Sequence, residues 1–174
     1  MKRIYRLTVV LFFIMACESE KKQFIKLSHK DTGIDFVNKL YETNTRNYFT
    51  YPYMYLGGGV ATGDFNNDGL EDLFFTGNMV PNKLYLNEGD FKFKDISETA
   101  GIQGDDRWYS GVSVIDINND GFLDLYIAVG GENKPNNNVL YINNQDNTFT
   151  EKAKAYGIDD DGYSMHSTFF DYDN

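Results

Sequence analysis

Cysteine occurs once in the 174 residues, at Cys17, so no disulfide can form within the chain. Proline occurs three times against 16 glycines, a balance that suits short strands joined by tight turns better than disorder. The two histidines, His29 and His166, have no partner at ligand spacing and give no histidine metal site. No stretch beyond about ten residues keeps a helical period. Basic residues are few: 16 Lys and Arg face 26 Asp and Glu, for a net charge of −10. Such a surface repels nucleic acid phosphates and attracts cations, so nucleic acid is excluded as a partner. The usual catalytic signatures are missing as well. No Gly-Lys-Ser/Thr follows Gly57-Gly58-Gly59, which reads as a tight lead-in to a strand. Gly162-Tyr163-Ser164-Met165-His166 lacks the second glycine of a nucleophile elbow.

The N-terminus reads as a targeting segment. Lys2, Arg3 and Arg6 form a basic n-region ahead of the apolar run Leu7–Met15, broken only by Thr8. That run is too short to span a bilayer and has the length of a signal h-region. It ends at Ile14-Met15-Ala16-Cys17, which resembles the lipobox of bacterial lipoproteins, although Met15 stands where a small residue is usual. The resemblance implies cleavage before Cys17, a lipid on its sulfur, and loss of residues 1–16. Contact with the membrane would then run through this lipid only, at a bacterial outer membrane or cell surface. Cleavage removes three of the 16 basic residues and none of the 26 acidic ones, leaving a net charge of about −13. Glu18-Ser19-Glu20 resembles the surface-export signals of Bacteroidetes lipoproteins, or serves as a plain solvated tether.

The main signal is a nine-residue loop, Asp64-Phe-Asn-Asn-Asp-Gly-Leu-Glu-Asp72. Oxygen-bearing side chains stand at positions 1, 3, 5 and 9, as Asp64, Asn66, Asp68 and Asp72, and Leu70 at position 7 offers a carbonyl. Hard cations such as Ca2+ take about six to eight oxygens, which this pattern goes far to supply. The pattern returns as Asp116, Asn118, Asp120, Phe122 (carbonyl) and Asp124, and begins a third time at Asp171 and Asp173. Three carboxylates in one loop repel each other unless a cation is bound.

From Gly57 the chain repeats at intervals of 52 and 55 residues, measured from Asp64 to Asp116 and on to Asp171. Gly59-Val60 matches Gly111-Val112, Leu84–Asn87 matches Leu140–Asn143, and Gly101-Ile102 matches Gly157-Ile158. Such a period implies stacked or radial units. Each unit is expected to hold four strands, at 58–64, 72–77, 83–87 and 91–96 in the first, and at 110–116, 124–129, 138–143 and 148–152 in the second. The organisation read from this is 1–16 signal, 17–56 tether and irregular cap, 57–108 and 109–163 complete repeats, and 164–174 the start of a third. Thr50–Leu56 is expected to be extended, with Tyr51, Tyr53 and Tyr55 on one face, either as a half-buried strand or as a sugar-stacking platform. Trp108 either packs between units or stacks on a sugar. The loop at 130–138, longer than its counterpart, is the expected place for unit-specific contacts.

An EF-hand begins in the same way but needs a bidentate Glu at position 12, where this chain has Phe75 and Ile127 in β-type runs. The same substitution argues against a dockerin. With Asp at position 9, the loops resemble those of FG-GAP, or VCBS, repeats. Val60–Phe65, Leu84–Asn87, Phe91–Ile96 and Ala100–Ile102 extend the resemblance over about 57–174. It includes the ASPIC/UnbV-associated lipoproteins of Bacteroidetes and the cartilage acidic proteins. The resemblance implies an all-β fold of four-stranded antiparallel propeller blades with calcium in the Asp-rich loops. It also implies a non-catalytic role in adhesion or in binding an extracellular protein or glycan. The alternative is the N-terminal or accessory part of a secreted, polysaccharide-active enzyme. The third loop lacks positions 5, 7 and 9, so the propeller is expected to be incomplete here. Ser167–Phe170 is expected to be the opening strand of a third blade with an exposed edge, and residues 18–174 are expected not to fold autonomously.

Overall fold

Runs of β-branched and aromatic residues, each bounded by Gly, Asn or Asp, form eight short strands in two four-stranded antiparallel sheets. The computed structural model describes residues 24–131 and 135–173. The first sheet comprises β1 (Val60–Gly63), β2 (Asp72–Phe75), β3 (Lys83–Asn87) and β4 (Phe93–Asp95) in that order. The second comprises β5 (Tyr109–Ile115), β6 (Asp124–Val129), β7 (Val139–Asn143) and β8 (Phe149–Glu151), again in that order. Gly63 faces Asp72 and Ile115 faces Asp124, so both Asp-rich loops close the first hairpin of their sheet at the same register. Hairpin-joined strands in chain order are the construction of a propeller blade. Among the described residues no helix is long and apolar enough to cross a membrane.

One face of each sheet builds the shared core. Ala61, Phe74 and Leu84 of the first sheet pack with Leu125, Ile127, Val129 and Val139 of the second. The opposite face of the second sheet presents Tyr126 and Leu140, which pack with Ala153, Ile158 and Phe169. The opposite face of the first sheet meets the segment before β1. Phe36 stacks on Phe75 with ring centroids 5.0 Å apart, and the Tyr85 hydroxyl donates to Asp35 at 2.7 Å. Burial first, and then that carboxylate, push the Tyr85 phenol well above its ordinary range. The irregular cap expected within residues 17–56 is therefore, from about residue 33, a cover over the first sheet.

The sheets meet along their first strands, and glycine permits this. A Cβ on Gly59 would stand 2.7 Å from Ser110 O and 2.9 Å from Val112 N, so only a bare backbone lets β1 approach β5. The contact repeats one unit later, where a Cβ on Gly111 would stand 2.5 Å from Met165 O. Gly111 N–H donates to that carbonyl at 2.9 Å. Residues 164–169 thus lie against β5 as β5 lies against β1.

Several expectations need correction. Thr50–Leu56 is not extended, because Pro52 begins a 3-10 turn at Pro52–Tyr55. Tyr51 is therefore buried while Tyr53 and Tyr55 are exposed, and no tyrosine face forms. The last strand of the first unit starts at Phe93 rather than 91. Asp90 and Phe91 have φ of +50° and +57°, and the turn closes from Lys92 N–H to Gly89 O at 2.9 Å. Ser167–Phe170 is not a strand, because no second strand among the described residues pairs with it. Its Phe169 nevertheless packs edge-on against Tyr126, with centroids 5.2 Å apart. Two helical turns absent from the reading, Ser97–Ala100 and Ala153–Tyr156, end on left-handed Gly101 and Gly157, which accounts for the repeated Gly-Ile pairs.

Candidate metal-binding loops

The two complete loops have the same internal wiring. In the first, Asp64 accepts from Asp68 N–H at 3.0 Å and from Gly69 N–H at 2.8 Å. Asn66 accepts from Asp68 N–H at 3.2 Å and donates its amide to Asp68 at 2.9 Å. Asp68 accepts from Leu70 N–H at 2.8 Å. In the second, Asp116 accepts from Asp120 N–H at 3.0 Å and from Gly121 N–H at 2.9 Å. Asn118 accepts from Asp120 N–H at 3.2 Å and donates to Asp120 at 2.9 Å, and Asp120 accepts from Phe122 N–H at 2.9 Å. Both loops need a left-handed residue after the third oxygen position, and Gly69 and Gly121 supply it at φ +86° and +85°.

The position-9 carboxylates tie each loop to its sheet. Asp72 is fully buried and accepts from Phe65 N–H at 2.9 Å and Asn87 N–H at 2.8 Å. Asp124, equally buried, accepts from Ile117 N–H at 3.1 Å and Asn143 N–H at 2.8 Å. Burial raises both carboxyl pKa values above the ordinary range. The backbone N–H donors pull them down, and the neighbouring carboxylates Asp64 and Asp68, or Asp116 and Asp120, add to the rise. The Asp120 carboxyl is instead held below its ordinary range, first by Phe122 N–H and then by Asn118 and Gln145.

The structure therefore ties Asp64, Asn66 and Asp68 together within one loop and Asp116, Asn118 and Asp120 within the other, with Asp72 and Asp124 closing each loop through Phe65 and Ile117 N–H. Leu70 and Phe122 take part through their N–H groups. The donor set is all oxygen, which fits a hard cation in type and spacing. In the described geometry these oxygens are turned onto loop amides, and among the described residues no three His, Cys, Asp or Glu converge as a ready metal cluster. Apart from Asp120 Oδ2, which accepts from both Asn118 and Gln145, each carboxylate oxygen of the two loops keeps a second lone pair beyond the bond it accepts. Asp171 and Asp173 do not repeat the wiring: Asp171 accepts from Asp173 N–H at 3.3 Å. Cys17 and the signal segment lie outside the described residues.

Sequence reading missed the asparagines that join the units. Asn67 donates to Gly121 O at 3.0 Å, linking the two loops. Asn143 donates to Phe65 O at 2.8 Å, Asn78 donates to Tyr109 O at 2.7 Å, and Thr76 donates to Ser110 O at 2.6 Å. Asn82 and Asn138 each brace the end of a strand, accepting from Gly77 N–H at 2.9 Å and Val129 N–H at 2.8 Å. Their signal was present, since an Asn precedes Leu-Tyr by two residues in both units. Trp108 is buried against Tyr51 and Met54 and offers no sugar platform. His166 lies against Gly111, and His29 starts a four-residue helical turn.

A family described as FG-GAP-like repeat matches residues 64–127 and again residues 116–174. Cartilage acidic protein 1 of Xenopus tropicalis is 36% identical over 90 residues, covering 51% of this chain and 14% of the relative. The Homo sapiens protein of the same name is 35% identical over 89 residues, covering 51% of this chain and 13% of the relative. The match thus spans well under two thirds of either relative's length.

Proposed function

Because the chain belongs to the FG-GAP-like repeat family, we propose that it is a calcium-binding β-propeller module, displayed at a cell surface through a lipid on Cys17. In this reading it binds an extracellular protein or glycan and carries out no catalysis. The observation that carries the reading is the matched wiring of two oxygen-only loops, at the same register in two successive sheets. Calcium would be held by Asp64, Asn66, Asp68, Asp72 and the Leu70 carbonyl, and by their counterparts Asp116, Asn118, Asp120, Asp124 and the Phe122 carbonyl. Its contribution would be to offset the mutual repulsion of three carboxylates and so pin the first hairpin of each blade. The acidity of the chain, like the acidity named in its relatives, favours cations over nucleic acid.

Thermal melting with calcium and with chelator tests the reading. A cation that binds only the folded state stabilises it by about 2.7 kcal/mol at a hundredfold excess over Kd. The melting temperature should rise with calcium, and Asp68→Ala and Asp120→Ala should each remove part of the gain. A melt indifferent to both calcium and chelator would falsify the calcium assignment.

A further inference from the structure

We propose that a cleft at the sheet ends opposite the Asp-rich loops binds an uncharged sugar ring. The inference rests on the reading of the module as a glycan binder and gives that reading a site. The cleft, of about 520 Å³, is lined by Tyr51, Tyr53, Leu56, Gly130, Tyr163 and Met165, with Pro52 beside them. This falls within the roughly 300–1,000 Å³ of small-ligand sites. Gly130 follows β6 directly, at the end away from the loop that precedes it.

Three observations select the ligand. First, two rings on the cleft are open to solvent, Tyr53 at 60% exposure and Tyr163 at 70%, and Tyr53 is braced edge-on by Tyr51 with centroids 6.1 Å apart. Open aromatic faces suit the C–H face of a pyranose, while their hydroxyls stay available to its polar edge. Second, no charged residue lines the cleft, and a chain of net charge −10 disfavours acidic ligands. A second cleft of similar volume is the reverse case, lined by Arg46, Asp105, Asp106 and Arg107.

Third, two buried polar atoms without a partner among the described residues lie just behind the walls. Ser110 is 2% exposed and its Oγ is unpaired. A Cβ on Gly130 would stand 3.0 Å from that oxygen, so the hydroxyl lies directly behind the bare glycine that forms this part of the wall. Asn136 Oδ1 is likewise unpaired, and the same side chain donates to Gly162 O at 3.3 Å, next to Tyr163. A hydroxyl-bearing ring that pressed past Gly130 would give these atoms a partner, which an apolar occupant would not.

The test is titration of the full chain with cellotetraose, mannotriose and trigalacturonate, followed by calorimetry. At least one neutral oligosaccharide should bind saturably, and the acidic one should not. Tyr163→Ala should weaken binding by about two- to tenfold. Ser110→Ala should also weaken it. Tyr55→Ala, which changes an exposed ring outside the cleft, should leave it unchanged. No saturable binding of either neutral sugar at millimolar concentration, a preference for the acidic sugar, or equal losses for Tyr55→Ala and Tyr163→Ala would overturn the proposal. Calcium stabilisation without sugar binding rejects the cleft alone. Sugar binding without a calcium response rejects the calcium reading alone.

Discussion

The two sheets share strand order, loop register and loop wiring, yet they are buried differently. All six residues of β6 are buried, whereas β2 buries only alternate residues. The difference lies in the neighbours. Leu125 and Ile127 face the first sheet and are fully buried, while their counterparts Leu73 and Phe75 are half-buried, Phe75 beneath Phe36 of the irregular segment. A sheet covers its neighbour more completely than a loop segment does, even when the strand beneath has nearly the same sequence. Strand burial in this repeat is set by position in the series, while the loop geometry is set locally.

That contrast can be broken most severely in the core. Leu125→Ala should cost about 3–5 kcal/mol by denaturant unfolding, and Leu73→Ala about half as much. Equal losses would mean that the Phe36 segment packs as well as a blade. Next in size, Asp72→Ala and Asp124→Ala, both measured in chelator, should cost about 2–3 kcal/mol each and nearly the same. Either change strands two backbone N–H donors, those of Phe65 and Asn87 or those of Ile117 and Asn143. A large difference between the two would show that the matched wiring is not matched energetically.

Smaller effects sharpen the contrast. Phe36→Ala removes the stacked ring over Phe75 and should cost about 1 kcal/mol. Hydrogen exchange should then speed up in β2 and β3 and stay unchanged in β6 and β7. The smallest effect concerns Gln145, which donates to Asp120 at 3.2 Å and has Gly89 as its counterpart in the first sheet. Asp120 should titrate below the ordinary carboxylate range, and Gln145→Ala should move it upward in an NMR titration. A depressed pKa means that this carboxylate favours the folded state above its unfolded pKa, a contribution that fades as pH falls through the folded value. No movement in the variant would assign the depression to the Phe122 amide and Asn118.

Much of this was legible in the sequence because it is local. Turn residues fixed the hairpins, so β3 and β6 were read at their observed limits. The spacing of the Asp and Asn side chains marked both loops. What failed was non-local or depended on a single dihedral. Pro52 turned an expected strand into a 3-10 turn, and positive φ at Asp90 and Phe91 shortened β4. The cover over the first sheet depends on Asp35 meeting Tyr85 and Asn38 meeting Asn78, pairs 50 and 40 residues apart with no periodic mark. The asparagines that join the units were visible as repeats, but the backbone they bond to belongs to the neighbouring unit.

The most direct measurement is the number of calcium ions bound per chain, by titration calorimetry or equilibrium dialysis. The account predicts one ion for each complete loop and none for the segment at Asp171 and Asp173. Asp68→Ala or Asp120→Ala should each remove one ion, and the double variant both. Two loops wired alike but binding no calcium, or a stoichiometry unchanged by either substitution, would contradict it.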